Sequence, residues 1–502
     1  MVSTFHGLEV SKRALNAQQL ALYTTSHNIS NANTIGYTRQ RVNFEQISSL
    51  TSSREPGGVS GNVGSGVQAG SIQRIREQFL DVQYRTENSK HNYYFTQGRA
   101  LKQLEDLLNE PTEVNLAFVF EDFYNSLQDL IGNADHSGTR EIVAQRAQAI
   151  ADTYQYIDTS LQEVRDDLSS QIDVSAASLN SILSQLNAIN VEIAGIEPHG
   201  LVPNDLYDER DRLLDSLSEL VDIEVTYERS SGMPSPIAEG IATVKLKNVG
   251  QEVTLVDGAS RSFSQVEISY DDDQNIESFT FTNEELGETV EIEAANFDSR
   301  GAIKANMEML GYIDENGEVT GYFNEIREDL ETMLRAFVEK FNEVHQEGID
   351  LNGDQGLAFF EFDDEDPLGT IRVNQAILDD PDLIAASLNG DSGDGTNAIN
   401  LSEVYSNQDV GLGARTSVKS FYQALIGNLG VKTQEVNRMT NNTAVLRQQV
   451  EENRMSVSSV SLDEEMSNLI KFQHAYNAAA RSMTAVDEML DRIINNMGLV
   501  GR

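Results

Sequence analysis

The sequence predicts an α+β chain with three parts: long N- and C-terminal helices forming a coiled-coil-like terminal domain, a helical bundle shaft, and an inserted small antiparallel β domain. Three patterns carry this prediction. Apolar residues recur every seven positions near both ends, step by three or four along a long middle stretch, and then alternate with period two.

The N-terminal stripe consists of Leu8, Leu15, Leu22 and Ile29, with Ser11, Gln18 and Thr25 offset by three and flanked by Ala14, Ala17 and Ala21. So thin a seam is marginal in water, and its order is expected to depend on neighbours. It runs into Asn28, Ser30, Asn31, Asn33 and Gly36, residue types suited to turns and left-handed backbone. Helical segments follow at Leu101 to Leu108 and Phe118 to Ile131. A longer one begins near Thr139, carries Leu161, Val164, Leu168, Ile172, Ala176, Leu179, Ile182, Leu186, Ile189, Ile193 and Ile196, and ends at Pro198 and Gly200. These segments suit an antiparallel bundle.

From Asp222 to about Phe297 the period falls to two: Ile223, Val225, Tyr227; Val244, Leu246; Val253, Leu255; Val266, Ile268, Tyr270; Phe279, Phe281; Val290, Ile292. Turn-rich intervals such as Asp271 to Asn275 separate the runs. Helices return at about Tyr322 to His345 and again from about Ser417 to the end. At the C-terminus, Leu462, Leu469, Tyr476, Met483, Leu490 and Met497 form one seven-residue series; Phe472, Ala479, Val486 and Ile493 form the other, where Glu465 is the exception. Such a seam is built for a supercoiled partner, with Ser461 placed to cap the helix and Gly498 to stop it. The expected division is 1–46 with 462–502 as a terminal assembly unit, 47–221 with 301–349 and 415–461 as the shaft, 222–300 as the β insertion and 350–414 as a second small insertion around a Gly and Asp loop at Gly390 to Thr396.

The 502 residues carry 36 Lys and Arg against 80 Asp and Glu, a net charge of −44. Both ends are close to neutral, so the acid excess lies in the middle, which is expected to face solvent while the ends meet protein. A surface of this sign repels phosphate backbones, so no nucleic acid and no membrane is expected as a partner. The absence of cysteine removes disulfides, thiol catalysis and thiolate metal sites. Met1 to Leu22 lacks the pattern of a cleaved signal peptide, and nowhere do 18 apolar residues run together.

Catalytic chemistry finds little footing. The seven histidines, among them His6, His27, His91 and His345, include no pair at helical spacing. Gly58-Val59-Ser60-Gly61-Asn62 falls one glycine short of a nucleophile elbow and reads as an exposed turn. Asp350, Asn352, Asp354 and Glu361 occupy positions 1, 3, 5 and 12 of a calcium loop, but Gln355 stands where glycine is required, which favours a plain turn. Neither an enzyme nor a bound cofactor or metal is expected.

The helix leading into Asn28-Ile29-Ser30-Asn31-Ala32-Asn33-Thr34-Ile35-Gly36-Tyr37-Thr38-Arg39-Gln40 resembles the N-terminal signature of the bacterial flagellar rod, hook and hook-associated proteins. The other end agrees: Leu462-Asp463-Glu464-Glu465-Met466 and Phe472-Gln473-His474-Ala475-Tyr476-Asn477 resemble the C-terminal motif of the same family. In the middle, Asn204 to Asp215 with its Asp-Arg-Asp core and Phe341 to Gly353 are most similar to the junction-forming, hook-associated members; a hook or distal rod subunit is the alternative. The resemblance implies a ring of identical subunits between hook and filament, touching the hook subunit and a second hook-filament junction protein. It also implies an extracellular location, type III export without a cleaved signal peptide, and a cytoplasmic export chaperone binding the C-terminal region. The near-calcium loop then belongs to a recurrent family segment, and the two apolar stripes are expected to be mobile in the free subunit and to pair with each other and with neighbours on assembly.

Overall fold

The structure, a computed structural model, describes residues 5–47, 64–108, 115–408, 410–413 and 416–496. Met497, Gly498 and the Gly58 to Asn62 turn lie outside them. The N-terminal stripe forms α1 (His6–Ser30), followed by β1 (Gln40–Gln46) and β2 (Val67–Arg74), paired antiparallel with Val42 opposite Ile72. Neither strand was expected, because the apolar alternation of 67–74 is broken by Gly70 and Ser71. The bundle is built from α2 (Gln78–Leu108), α3 (Leu116–Gly132), α4 (Ser137–Ile196) and α5 (Asn204–Leu220). Asn115 caps α3 by accepting the Ala117 N–H at 2.9 Å. The 60 residues of α4 make a strut about 90 Å long. Pro198 and Gly200, the latter at φ +78°, end it where expected.

The β region forms two sheets. The first orders β3 (Ile223–Glu228), β4 (Ile241–Leu246), β5 (Thr254–Asp257) and β6 (Ser262–Phe263) in sequence. The second centres on β8 (Ile276–Asn283), flanked by β7 (Gln265–Tyr270) and β9 (Glu288–Glu293). After α6 (Ala302–Leu310), β10 (Tyr312–Ile313) joins β8 through one parallel pairing, Tyr312 with Ile276, and β11 (Val319–Thr320) extends the edge. The sheet is therefore not wholly antiparallel and runs past residue 300, because α6 returns the chain alongside the start of β8. Two asparagines on α4 seat the sheets by serving as substitute strand partners. Asn180 donates to the Val266 carbonyl at 2.9 Å and accepts its N–H at 2.7 Å, and Asn190 does the same for Ala242 at 2.8 and 3.1 Å.

Then come α7 (Tyr322–Glu347) and a compact segment containing β12 (Phe360–Glu361), α8 (Pro367–Thr370), β13 (Arg372–Val373), α9 (Gln375–Asp379) and α10 (Thr396–Glu403). Phe120, Phe123, Phe337, Phe341, Phe359 and Phe360 interlock there, with Phe120 and Phe337 centroids 5.0 Å apart. In the near-calcium loop the Asp350 carboxylate accepts the N–H groups of Asn352 and Asp354, while Glu361 pairs with Arg372 at 3.1 Å. The C-terminal region forms two helices, the second starting at Leu462. α11 (Val418–Ser458) opens on a capping box of Ser417 with Ser420, and α12 (Leu462–Asn496) follows a three-residue break. The shaft helices, the sheets and the compact segment share one contiguous buried core, to which α1 and α12 contribute nothing.

Candidate functional site

The two apolar stripes meet in one antiparallel helix pair. Ser11 Oγ lies 3.4 Å from Ser482 Oγ, Asn28 Nδ2 lies 3.1 Å from Glu465 Oε2, and a Cβ added to Gly7 would touch Val486 at 3.4 Å. In all three pairs the residue numbers add to 493, the mark of a regular register along the whole pair. What α1 buries most deeply is its small face, Ser11, Ala17, Ala21, Thr24, Thr25 and Asn28, while Leu8, Leu15, Leu22 and Ile29 are only half-covered. The sequence had singled out the leucines. The close approach is instead made by the small offset residues, whose short side chains let the backbones come together.

On α12, Leu490 is buried, Leu469, Phe472, Tyr476, Met483 and Val486 are half-buried, and Leu462 and Ile493 stay exposed. Met466, Ile470, Met489 and Ile494 are exposed as well. The pair thus spends part of its apolar surface on itself and leaves the remainder uncovered. From the β1 side, Phe44 packs on Phe472 with ring centroids 6.0 Å apart.

The motif residues gather where this pair meets the shaft. Asn28 holds the Gln40 backbone at two points, donating to its carbonyl at 2.8 Å and accepting its N–H at 3.0 Å, and the Tyr37 hydroxyl donates to Asn28 Oδ1 at 2.7 Å. Asn31 accepts from the Thr34 hydroxyl at 3.2 Å, and Gly36 turns the chain at φ +81°. Arg39 straddles the helix break: its backbone N–H bonds the Ser458 carbonyl at 2.9 Å, its Nε reaches Glu465 at 2.8 Å, and its terminal nitrogen reaches Glu464 at 2.9 Å. Burial opposes the Arg39 charge, but the two glutamates outweigh it and raise its pKa. Burial, with Asp208, Asp205 and Glu465 nearby, also pushes Tyr37 well above its ordinary value, so it stays a donor. Asn33 and Gln473 are exposed, Ala475 is half-covered, and none of the three joins this cluster.

Behind the motif lies a buried set of charges that pairs nearly every cation with more than one acid. Arg74 bonds Asp208 at 2.6 Å and Asp211 at 3.0 Å and also reaches Glu239; Arg76 grips Asp81 at 2.7 and 2.9 Å; Arg85 bridges Asp211 and Asp215 at 3.1 and 2.9 Å. Arg454 comes from α11 to Asp215 at 2.7 Å, and Arg210 holds Glu239 at 2.8 Å while stacking on Tyr227. Burial alone would raise Asp211, but Arg76, Arg74 and Arg85 hold it well below the usual carboxylate range. At Asp208 burial wins over Arg74 and the pKa rises. Asp208 also accepts the Thr38 N–H at 3.1 Å, joining the motif to the cluster. The named carboxylates are all engaged by arginine, so this arrangement suits mechanical coupling of segments rather than proton transfer.

In the sequence Asn28 stands out as a turn residue, Tyr37, Arg39 and Gln40 enter only through the family resemblance, Glu465 enters within the C-terminal motif without a role, and Arg74, Arg76, Arg85 and Arg454 do not stand out. Glu465 alone left a local signal, as the acidic residue in an otherwise apolar seam. The arginines come from β2, α2 and α11, and no local pattern joins those segments.

Comparison with known proteins gives three matching family models. Residues 101–360 match the "Flagellar hook-associated protein FlgK helical domain", residues 8–38 the "Flagella basal body rod protein" and residues 451–497 the "Flagellar basal body rod FlgEFG protein C-terminal". Flagellar hook-associated protein 1 of Bacillus subtilis is 42% identical over 512 residues, covering the whole of both chains. Its Escherichia coli counterpart is 25% identical over 96% of this chain and 98% of its own. Among solved structures, the flagellar hook junction protein FlgK from Burkholderia pseudomallei aligns with a TM-score of 0.61 at 13% identity, over 76% of this chain and all of that one, a likeness of fold.

Proposed function

From the premise that this chain belongs to the flagellar hook-associated protein 1 (FlgK) family, we propose that it is the structural subunit joining hook to filament in a bacterial flagellum, attached through its paired terminal helices. The observation that carries the attachment is the α1/α12 pair itself, which sits outside the common core and keeps Leu462, Met466, Ile470, Met489 and Ile493 exposed. An unspent apolar face beside a half-buried one suits a helix pair that completes its burial against neighbours. Within this reading, Leu8, Leu15, Leu22, Ile29, Leu469, Phe472, Tyr476, Met483, Val486, Leu490 and Met497 belong to the assembly unit, formed by 1–46 with 462–502. The remaining segments, 47–221 with 301–349 and 415–461, the sheets of 222–300 and the 350–414 insertion, form the body that stands on it.

The partners are further copies of the chain in a ring, the hook subunit below and the second junction protein above. A cytoplasmic chaperone holds the C-terminal helix before type III export, which needs no cleaved signal. Among the described residues, no helix is long and apolar enough to cross a membrane. The chain acts by binding and transmits load; it has no enzymatic role. A hook or distal rod subunit is the second reading, favoured only by the ends, since residues 8–38 and 451–497 match rod-protein families.

The test is the double variant L469D/L490D. It is expected to keep the shaft folded and to be exported, yet to be missing from the hook tip when labelled cells are imaged. Normal filaments from this variant would show that the seam is not the attachment element, and failed secretion would trace the defect to chaperone binding instead. Finding the unmutated protein along the hook or in the rod would replace the junction reading with the second one.

A further inference from the structure

We propose that Glu465, held by Asn28 and Arg39, sets the register of α12 against α1 and so determines which surface the helix pair offers to its neighbours. This rests on reading that pair as the assembly element.

Apolar contacts in a seven-residue repeat are nearly indifferent to a shift of one repeat. Leu469, Tyr476, Met483 and Leu490 would exchange places with residues of similar shape, and the small face of α1 would accept them again. Glu465 is not indifferent. Its side chain is almost wholly buried and receives two donors, Arg39 Nε at 2.8 Å and Asn28 Nδ2 at 3.1 Å. Both donors are fixed independently: Asn28 by its two bonds to the Gln40 backbone, Arg39 by its N–H on the Ser458 carbonyl. With residue numbers adding to 493, Glu465 faces Asn28; a shift of one repeat would set it opposite Ala21, which cannot answer a carboxylate, or carry it past the end of α1 towards the exposed turn at Ile35, away from both donors. A buried charge without partners is strongly disfavoured, which excludes the shift towards Ala21, and the opposite shift forfeits both bonds to the carboxylate. Glu465 is thus a positioning residue, acting through the alignment of the two helices.

The chain has no cysteine, so engineered pairs report register without background. In the purified full-length protein, S11C/S482C reads the native register, and S11C/A475C and S11C/M489C read shifts of one repeat in either direction. Oxidised monomers are resolved by mass from linked dimers. With Glu465 present, only S11C/S482C is expected to close. In E465L the shifted products are expected to rise at least about tenfold and the native product to fall, whereas E465Q, which can still accept from Asn28, stays near the parent. R39M, which keeps the carboxylate and removes its cation, gives an intermediate rise and carries the test should E465L not fold. The proposal is overturned if E465L closes in the native register as its parent does, or if the parent itself fails to close S11C/S482C. The measurement involves no flagellum, so it stands apart from the fate of L469D/L490D at the hook tip: filaments from that variant would remove the attachment reading and leave the register result intact.

Discussion

His345 Nε2 lies 3.0 Å from the Ala385 backbone nitrogen, and because an N–H must donate, that ring nitrogen is the acceptor. Nδ1, 2.6 Å from the Leu357 carbonyl, is therefore the donor, and the buried ring is fixed as one neutral tautomer linking α7 to the compact segment. Burial lowers its pKa from 6.5 to about 4. The folded state thus binds the proton less readily than the unfolded chain: the contribution is complete above about pH 6.5 and lost as pH falls towards 4, amounting to about 3 kcal/mol. Denaturant melts at pH 7.5 and 4.5 are expected to differ by more in the wild type than in H345Q. Equal differences would remove the histidine as the cause.

Asp211 sits among Arg74, Arg76 and Arg85, and its removal leaves three buried cations short of an acid. D211A is expected to cost about 3–5 kcal/mol, read as a lower urea midpoint with an unchanged slope. Since its carboxylate is held below the ordinary range, this stabilisation persists down to the unfolded carboxylate value and fades only as pH falls further.

Gly240 precedes β4 at φ +87°, and a Cβ there would be driven into the Glu228 carbonyl. Its own N–H bonds Glu197 at 3.0 Å and its carbonyl accepts from Arg210 at 2.7 Å, so the backbone cannot move aside without breaking buried bonds. G240A is expected to lose about 2–4 kcal/mol, whereas G287A, also at positive φ but with open space around it, loses about 1. Thermal melts of the two variants check the contrast.

Phe337 of α7 contacts Phe120 of α3, Phe341 of its own helix and Phe360 of β12. F337A is expected to cost about 3–5 kcal/mol and to expose backbone amides of 350–404 to hydrogen exchange before those of α4. Uniform exchange across both would show that the segment does not open separately.

What could be foreseen followed from periodicity that a single segment displays alone. The stripe ending at Ile196 gave α4, the alternation of Ile223, Val225 and Tyr227 gave β3, and the heptads from Leu462 gave α12. The misses share the opposite property. β2 hides because Gly70 and Ser71 interrupt its alternation, and its partner strand lies over twenty residues earlier. Asn180, Asn190 and Asn342 look like ordinary surface residues, yet each accepts a backbone N–H and donates to a backbone carbonyl in a distant strand. The arginine cluster draws single residues from separate elements, and charge alone does not reveal which of 80 acids turn inward. At the motif, the family resemblance supplied the residues, and the structure supplied what they hold.

Because α1 and α12 run in opposite directions, Phe5 and the last turns of α12 lie at the tip remote from the Asn28 and Glu465 clasp, about 35 Å away along α1. A fluorophore attached to the first turn of α1 or to the last turn of α12 would crowd the same patch, so probes are better grafted on the outer hairpin turns of the two sheets, such as the open one at Gly287.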